Sequence, residues 1–325
     1  MPKPALLVTR QLPPAIEARA AAAFAASLNP GDAPWYRDGA EIARRAAAIG
    51  AEGILCAAGD AMGAATIAAL PDSVRMIATF SVGTDHLALD AARARGIAVA
   101  NTPDVLSFAT AEIAMTLMLM AARRAGEGER MLRAGAWGGW APTQLMGTTL
   151  EGKKLGILGL GRIGRELAMM ARGFRMEVHY HGRTRLPAEL EAGAIWQPTD
   201  GGFLAAIDIL SMHIPGGAAT RHWLNATRLG QMRRGAIVVN TGRGGTVDDA
   251  ALVEALATGH LAAAGLDVYD GEPAIFPGYL GRENVALLPH LGSATVETRD
   301  AMGHRALDNL ETLLLHGHAP PHQVA

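Results

Sequence analysis

The sequence predicts an α/β protein built from two doubly wound parallel-sheet domains. Apolar segments of strand length alternate with helix-like segments from the start of the chain, which is typical of parallel sheets flanked by helices. The alternation occurs twice, before and after a long apolar helical segment near 109–122. The second series opens with an apolar strand that leads directly into a glycine-rich turn and a helix. These three observations define the predicted fold class.

The composition is compatible with this class and excludes several others. The chain has 325 residues, enough for about two domains, and half of them are hydrophobic. The formal net charge of −2 offers no electrostatic basis for binding nucleic acid or an anionic membrane. Cys56 is the only cysteine, so no intrachain disulfide can form. Because no secretory signal is present and the apolar segment 113–122 is shorter than the roughly 20 residues of a membrane span, we expect a cytoplasmic protein.

The first series of elements predicts a complete small domain. We expect strands at 5–9, 53–57, 74–79 and 97–100 and helices at 14–26 and 42–49. A charged helix through 123–133 follows the long apolar helix, and a glycine-rich segment at 135–142 comes after it. Trp137 and Trp140 in that segment favour a partner surface, because a monomer would leave two large apolar rings in water.

The second series predicts a larger sheet. Its strands are expected at 155–158, 177–181, 207–212, 236–240, 262–267 and 285–288. A C-terminal helix near 296–315 is expected to fold back onto the first domain. The predicted domain limits are therefore 1–101 together with 289–325 for the first domain, and 102–288 for the second.

Two groups of histidines raise the question of a metal site. His179 and His181 alternate on one predicted strand, and three more histidines lie in the tail at 316–322. Two ligands on one strand are an incomplete site, and nothing near the tail fixes a ligand geometry. We therefore predict no metal, surface histidines on the strand and a frayed surface tail.

A dinucleotide-binding turn is predicted by the pattern G-x-G-x-x-G at Gly159, Gly161 and Gly164. We expect Gly159 to make the tight turn, Gly161 to let a pyrophosphate approach the backbone, and Gly164 to let the helix pack on the strand. The helix would direct its free N–H groups and positive dipole end at the phosphates. Because a strand and a helix flank the glycines, the pattern indicates a Rossmann domain. The alternative is a glycine-rich turn that binds nothing.

The residues after the next strand predict which dinucleotide binds. In an NAD-binding domain an acidic residue stands there and binds the ribose hydroxyls. Here Gly182 occupies that position, and Arg183, Thr184 and Arg185 follow it. Two guanidinium groups and a hydroxyl suit a 2′-phosphate. We therefore predict a preference for NADP(H), with NAD(H) as an alternative.

Three polar side chains that follow strands of the second sheet are the candidate catalytic residues. Arg243 lies among glycines, Glu272 lies in a turn, and His290 follows the last strand. Open α/β sheets bind their ligands at the carboxyl ends of the strands. A guanidinium can bind a carboxylate through two hydrogen bonds, and a carboxylate beside a histidine favours the imidazolium. Each residue alone is compatible with a structural role, but together they supply what a nicotinamide needs to reduce a 2-oxo acid.

Four motifs carry a resemblance that covers nearly the whole chain. They are Gly-Leu-Gly-Arg-Ile-Gly at 159–164, Val-Asn-Thr-Gly-Arg-Gly-Gly at 239–245, Gly-Leu-Asp-Val-Tyr with Gly-Glu-Pro at 265–273, and Leu-Pro-His-Leu-Gly-Ser-Ala-Thr at 288–295. The chain resembles the D-isomer-specific 2-hydroxyacid dehydrogenase family, and the spacing of Arg243, Glu272 and His290 resembles its glyoxylate/hydroxypyruvate reductase branch. The resemblance implies a flavodoxin-like substrate domain, a Rossmann domain, a cleft between them, and a homodimer formed through a helix and loop at 105–150.

The resemblance also implies a role for individual residues. His290 would be the acid/base, Glu272 its hydrogen-bonded partner, and Arg243 the group that holds the substrate's carboxylate and polarises its carbonyl. Val82 and Gly83 would offer backbone N–H groups to that carboxylate, and Trp140 would reach the partner's active site. Besides the three glycines and the turn at 183–185, the implied cofactor-binding residues are Thr110, Arg162, Ile163, Pro215, Thr241 and Asp267, of which Asp267 would hold the nicotinamide amide.

The predicted function is the NADPH-preferring reduction of glyoxylate or hydroxypyruvate to a 2-hydroxy acid. Alternatives within the family are phosphoglycerate dehydrogenase and enzymes of larger 2-oxo acids. Formate dehydrogenase is disfavoured, since that branch has glutamine where Glu272 stands. A non-catalytic, nucleotide-sensing protein similar to the related corepressors is the alternative of a different class, and turnover with glyoxylate would discriminate against it.

Overall fold

The computed structural model describes residues 2–325, which form two compact units. The first unit comprises the chain up to Leu106 together with Ala294–Ala325, and the second comprises Ser107–Ser293. The chain thus crosses between the units after Leu106 and after Ser293, where the sequence places the crossings after residues 101 and 288. Every strand pair in both sheets is parallel, which confirms the predicted fold class.

The first unit contains a five-stranded sheet in the order β2-β1-β3-β4-β5. Its strands are β1 (Ala5–Val8), β2 (Ala25–Ser27), β3 (Gly53–Ala57), β4 (Met76–Phe80) and β5 (Ala98–Ala100). Its helices are α1 (Pro14–Ala23), α2 (Gly39–Ala48), α3 (Ala64–Ala69), α4 (Leu89–Ala94) and, from the end of the chain, α12 (Val296–Leu314).

Strand β2 was not predicted, because the sequence analysis extends the first helix to residue 26. In the structure this helix ends at Ala23. Phe24 takes an extended conformation and is buried, and Ala25 then pairs in parallel with Ala5. Alanine favours a helix locally, but burying one aromatic ring and adding an edge strand to the sheet outweigh that preference.

Helix α12 packs within the first unit. A Cβ atom on Gly53 would lie 2.7 Å from Leu314 Cδ1, and one on Gly303 would lie 2.4 Å from Ile16 Cγ1. These two glycines therefore allow α12 to approach β3 and α1 more closely than any larger residue would.

The tail after α12 is not frayed, and that prediction was wrong. Val324 N–H donates to Val99 O at 2.7 Å, and Val99 N–H donates to Ala325 O at 3.0 Å. His322 N–H also donates to Asn309 Oδ1. The tail thereby covers the edge of the sheet at β5, whose backbone groups would otherwise face water unpaired. Within residues 2–325 no three metal-ligating side chains come together.

The second unit contains a seven-stranded sheet in the order β12-β11-β10-β9-β6-β7-β8. Its strands are β6 (Lys154–Leu158), β7 (Glu177–His181), β8 (Ile195–Trp196), β9 (Ile209–Met212), β10 (Ala236–Asn240), β11 (Leu261–Leu266) and β12 (Val285–Leu287). The short edge strand β8 was not predicted. The order of strands reverses between β6 and β9, which is where open α/β sheets bind ligands.

Helices cover both faces of this sheet. They are α5 (Ser107–Arg123), α6 (Ala125–Arg133), α7 (Arg162–Gly173), α8 (Ala188–Glu191), α9 (Asp200–Ala206), α10 (Ala226–Gln231) and α11 (Asp249–Ala257). Val239 belongs to the buried cluster that includes Leu117 of α5 and residues of α7, whereas Val238 belongs to the buried cluster that includes Phe203. Among the helices of residues 2–325, none combines the length and the hydropathy that a membrane crossing requires.

Candidate active site

The glycine-rich turn after β6 has the geometry that the sequence predicts. Gly159 has a φ of +92°, a conformation that L side chains rarely adopt. A Cβ atom on Gly164 would lie 2.4 Å from Gly159 O, so only glycine lets α7 pack this close to the strand. A Cβ atom on Gly161 would meet no atom within 4 Å, and no side chain caps the N–H groups at the start of α7. The turn therefore offers open space beside the start of a helix that no side chain caps, which fits a pyrophosphate.

The turn after β7 contains an acidic partner that the sequence analysis missed. Arg185 Nε donates to Glu191 Oε1 at 2.7 Å and its Nη2 donates to Glu191 Oε2 at 3.1 Å. Tyr180 Oη donates to the same carboxylate at 2.5 Å. The hydrogen bond and the charge of Arg185, together with the hydrogen bond from Tyr180, lower the pKa of Glu191. Arg183, by contrast, is exposed and has no ion-pair partner in residues 2–325.

The two histidines of β7 are not surface residues, so that prediction was wrong. His179 is buried, with Nε2 2.6 Å from Glu177 Oε1 and Nδ1 2.9 Å from Gln197 Nε2. His181 is partly buried, with Nε2 2.8 Å from Asp200 Oδ1. Each ring is held by polar partners, which explains why neither needs to face water.

His213, directly after β9, is a residue at this edge that sequence reasoning missed. Its Nε2 lies 2.8 Å from Ser211 Oγ, and its Nδ1 lies 3.4 Å from Thr241 Oγ1. Burial lowers the pKa of His213 to about 4, so this imidazole is neutral at ordinary pH. Its carbonyl oxygen would also lie 3.1 Å from a Cβ on Gly159, which places it against the glycine-rich turn. The strand-end position of His213 was the signal that could have found it.

Pro215 follows two residues later, is exposed, and accepts a hydrogen bond from Thr220.

The backbone around Arg243 is tightly held after β10. Asn240 Nδ2 and Thr246 Oγ1 both donate to Arg243 O, at 3.0 and 2.7 Å. A Cβ atom on Gly244 would lie 1.9 Å from the carbonyl carbon of Tyr269, so no other residue fits there. The guanidinium of Arg243 is therefore presented from a rigid support, which favours directional binding of an anion.

His290 and Glu272 form the predicted pair. His290 Nδ1 lies 2.7 Å from Glu272 Oε2, and this nitrogen donates because an ionised carboxylate only accepts. Glu272 Oε1 accepts from Tyr269 N–H at 2.9 Å. Burial alone would raise the pKa of Glu272, but the hydrogen bond and charge of His290, the Tyr269 N–H and the charge of Arg243 together lower it. His290 Nε2 makes no hydrogen bond to any part of the described chain, which leaves it for a ligand.

Asp267 fixes the loop that carries His290, a role that was not predicted. Asp267 is buried, and its two carboxylate oxygens accept from Leu291 N–H at 2.7 Å and Gly292 N–H at 2.8 Å. Its carbonyl oxygen accepts from His290 N–H at 2.9 Å, and Thr110 Oγ1 donates to Gly292 O at 3.0 Å. Burial raises the pKa of Asp267 despite these two N–H donors. His290 itself has a φ of +55°, an uncommon conformation for a non-glycine residue that this network maintains.

The loop after β4 of the first unit presents free backbone donors. Ser81 Oγ donates to Gly83 O at 2.5 Å, and Asn101 Nδ2 donates to Val82 O at 2.8 Å. The N–H groups of Val82 and Gly83 have no acceptor within residues 2–325. Two adjacent unpaired donors beside two satisfied carbonyls suit an anion such as a carboxylate.

The segment after α6 leaves its aromatic rings exposed. Trp140 is 81 % exposed and Trp137 is 51 % exposed, with only a hydrogen bond from Trp137 Nε1 to Gln144 Oε1 at 3.2 Å. Neither ring therefore covers the core of its own unit.

Comparison with known proteins gives a consistent family. Residues 115–292 match the family model described as the NAD binding domain of D-isomer specific 2-hydroxyacid dehydrogenases. A glycerate dehydrogenase from Hyphomicrobium methylovorum is 40 % identical over 315 residues, covering 96 % of this chain and 97 % of that protein. A glyoxylate reductase from Thermococcus litoralis is 42 % identical over 256 residues, or 77 % of each chain.

A solved structure shows the same similarity. The NADPH-dependent glyoxylate/hydroxypyruvate reductase of Sinorhizobium meliloti, in complex with NADP and malonate, superimposes with a TM-score of 0.84 at 34 % identity. The match covers 99 % of this chain and 97 % of that one.

Proposed function

This chain belongs to the D-isomer specific 2-hydroxyacid dehydrogenase family, and we propose that it reduces glyoxylate or hydroxypyruvate with NADPH as its preferred cofactor. It is a 2-hydroxyacid dehydrogenase of the glyoxylate reductase branch. The observation that carries the proposal is the pair of His290 and Glu272, with Nε2 of His290 left for a substrate.

In the proposed reaction His290 is the general acid. A nicotinamide held by the residues assigned below would supply hydride for the carbonyl carbon when bound. Glu272 holds Nδ1 of the imidazolium, so that Nε2 points its proton at the substrate's carbonyl oxygen as negative charge develops there. Arg243 binds the substrate's carboxylate and polarises the same carbonyl. The N–H groups of Val82 and Gly83 are the proposed backbone donors to that carboxylate.

The remaining assignments concern the cofactor. Gly159, Gly161 and the start of α7 with Arg162 and Ile163 are proposed to bind the pyrophosphate. Around the nicotinamide we propose Thr110, Pro215, Thr241 and Asp267. Asp267 has both oxygens engaged with backbone N–H groups, so a cofactor amide would share one of them through a second lone pair.

The proposed preference for NADPH rests mainly on Arg183. Among residues 2–325 no carboxylate pairs with Arg183, and Gly182 stands where an acid would repel a 2′-phosphate. Arg185 is already paired with Glu191, and we therefore assign it a smaller share of phosphate binding.

The test is a steady-state comparison of 2-oxo acids with both reduced cofactors. Glyoxylate, hydroxypyruvate, pyruvate and 4-methyl-2-oxopentanoate would each be assayed with NADPH and with NADH. We expect the highest kcat/KM for glyoxylate or hydroxypyruvate with NADPH. A higher value for 4-methyl-2-oxopentanoate or for NADH would contradict the respective part of the proposal. The absence of turnover with every substrate would favour the nucleotide-sensing alternative.

A further inference from the structure

A buried carboxylate lies beside the turn that is proposed to receive the 2′-phosphate of the cofactor. It belongs to Glu191, the last residue of α8. Its oxygens accept hydrogen bonds from Arg185 Nε at 2.7 Å, from Arg185 Nη2 at 3.1 Å and from Tyr180 Oη at 2.5 Å. Burial of a carboxylate costs free energy unless the group is paired and hydrogen-bonded, and these donors meet that condition. The acid is therefore a fixed part of the turn.

The same hydrogen bonds connect the strand, the turn and the helix. Leu186 N–H donates to Tyr180 Oη at 3.0 Å, so this hydroxyl accepts from the turn and donates to α8. The side chain of Glu191 is 9 % exposed, whereas that of Arg185 is 65 % exposed. The guanidinium therefore faces solvent, while the acid that holds it is covered by protein.

Arg185 can still bind an anion, but its pairing with Glu191 weakens that binding. A guanidinium carries five N–H groups, and Glu191 engages one on Nε and one on Nη2. Within residues 2–325, Nη1 of Arg185 makes no hydrogen bond, so its two N–H groups are left for a ligand. The negative charge of Glu191 offsets that of the guanidinium, and it would also repel a phosphate bound to the same group.

We propose that Glu191 limits the discrimination between the two dinucleotides, because it restrains and neutralises Arg185 and thereby weakens the binding of the 2′-phosphate. This rests on the proposed function, in which the turn after β7 receives that phosphate. The acid that is absent at Gly182 is thus replaced by one that reaches the turn from α8. A neutral amide at position 191 can accept the same hydrogen bonds but leaves Arg185 its full charge.

Direct binding of NADP+ and NAD+, measured by calorimetry without substrate, tests this role, because the two molecules differ only in the 2′-phosphate. Glu191→Gln should tighten the binding of NADP+ by about threefold to fivefold, the range of a partly exposed charge interaction. The Kd for NAD+ should change by less than about twofold in the same variant, since NAD+ offers no phosphate to Arg185. The gain for NADP+ should shrink at ~1 M salt, because salt screens exposed charges.

Two further variants show whether the gain depends on Arg185. Glu189→Gln is the matched control, because Glu189 lies in the same helix, is exposed and has no ion-pair partner among residues 2–325. We expect it to bind both dinucleotides as the wild type does. The double variant Arg185→Ala/Glu191→Gln should lose the gain. A gain that persists in the double variant would overturn the proposal, as would an unchanged or weaker NADP+ affinity in Glu191→Gln or an equal change for both dinucleotides.

If Glu191→Gln does not fold, as judged by circular dichroism, Arg185→Ala alone decides. Because Arg185 is already neutralised, this variant should weaken NADP+ binding by less than about threefold, and a larger loss would contradict the proposal. A wild-type protein that binds both dinucleotides but turns over no 2-oxo acid would refute the proposed function, whereas the effect of Glu191→Gln on NADP+ would still decide the role of Glu191. A wild-type protein that binds neither dinucleotide would contradict both.

Discussion

At the scale of single residues, the candidate site contains a hydrogen-bonded polar pair whose loop is held in place by further hydrogen bonds. His290 and Glu272 provide the pair, and Asp267 holds the backbone of the next two residues. The left-handed backbone of His290 is maintained by these contacts. Such support fixes a catalytic side chain more accurately than a free loop would.

We expect His290→Gln and Arg243→Ala each to abolish most turnover without loss of the fold. Removal of a positioned general acid costs about a hundredfold or more in rate. His318→Gln and Arg172→Ala are matched controls, because both residues are exposed and lie outside the candidate site. Turnover near the wild-type value in either site variant would show that the assigned role is wrong.

The ion pair should also contribute to stability in a defined pH range. The pKa of Glu272 is lower in the folded protein than its ordinary value, so its ionised form favours folding. That contribution is present above the unfolded pKa of about 4.3 and is lost as the pH falls through the folded pKa. We therefore expect a higher Tm for the wild type than for Glu272→Gln at pH ~7, with a difference that shrinks below pH ~4. A difference that stays constant with pH would contradict the pairing.

At the scale of elements, two glycines of the turn between β6 and α7 have different roles: Gly164 allows close packing, and Gly161 keeps space open. Gly164→Ala should destabilise the protein by about 1–3 kcal/mol, because the new Cβ would overlap Gly159 O. Gly161→Ala should leave the Tm nearly unchanged but weaken cofactor binding, since its Cβ would enter only the open space. Gly173→Ala, in the last turn of α7, is the control and should be neutral or stabilising. Thermal unfolding and cofactor titration of the three variants measure both effects.

The turn after β7 leads to a prediction about cofactor preference. Arg183→Ala should raise the KM for NADPH about tenfold or more, as expected for the loss of a charged hydrogen bond, and should change the KM for NADH little. Arg185→Ala should have a smaller effect, because Glu191 already neutralises that guanidinium. Equal changes for both cofactors in Arg183→Ala would show that the turn does not recognise the phosphate.

At the scale of the whole molecule, the exposed rings of Trp137 and Trp140 favour association. Large apolar rings in water are a common sign of a partner surface. We expect a homodimer by light scattering at assay concentration, as the resemblance to the family implies. A monomer at that concentration would contradict this prediction.

A mixed dimer tests whether Trp140 acts in the partner's site. Trp140→Ala and His290→Gln should each be impaired alone as homodimers. When the two variants are co-expressed, one site of the mixed dimer would combine an intact His290 with an intact Trp140 from the other chain. Activity restored toward half of the wild-type value would support a role in trans, whereas no restoration would exclude it.

The sequence by itself determined the features that depend on local pattern. The alternation of apolar segments predicted two parallel sheets, and strand-end positions made Arg243, Glu272 and His290 the candidate catalytic residues. The glycine spacing predicted the turn at 159–164 correctly, because tight turns and close helix approach exclude side chains at particular positions.

Only the tertiary structure decided which distant groups meet. It showed that Glu191 neutralises Arg185, that Asp267 holds the loop of His290, and that the tail pairs with β5. Hydrogen bonds and ion pairs depend on distances of about 3 Å between atoms. Residues far apart in the chain reach such distances only through packing, which periodicity and spacing do not specify.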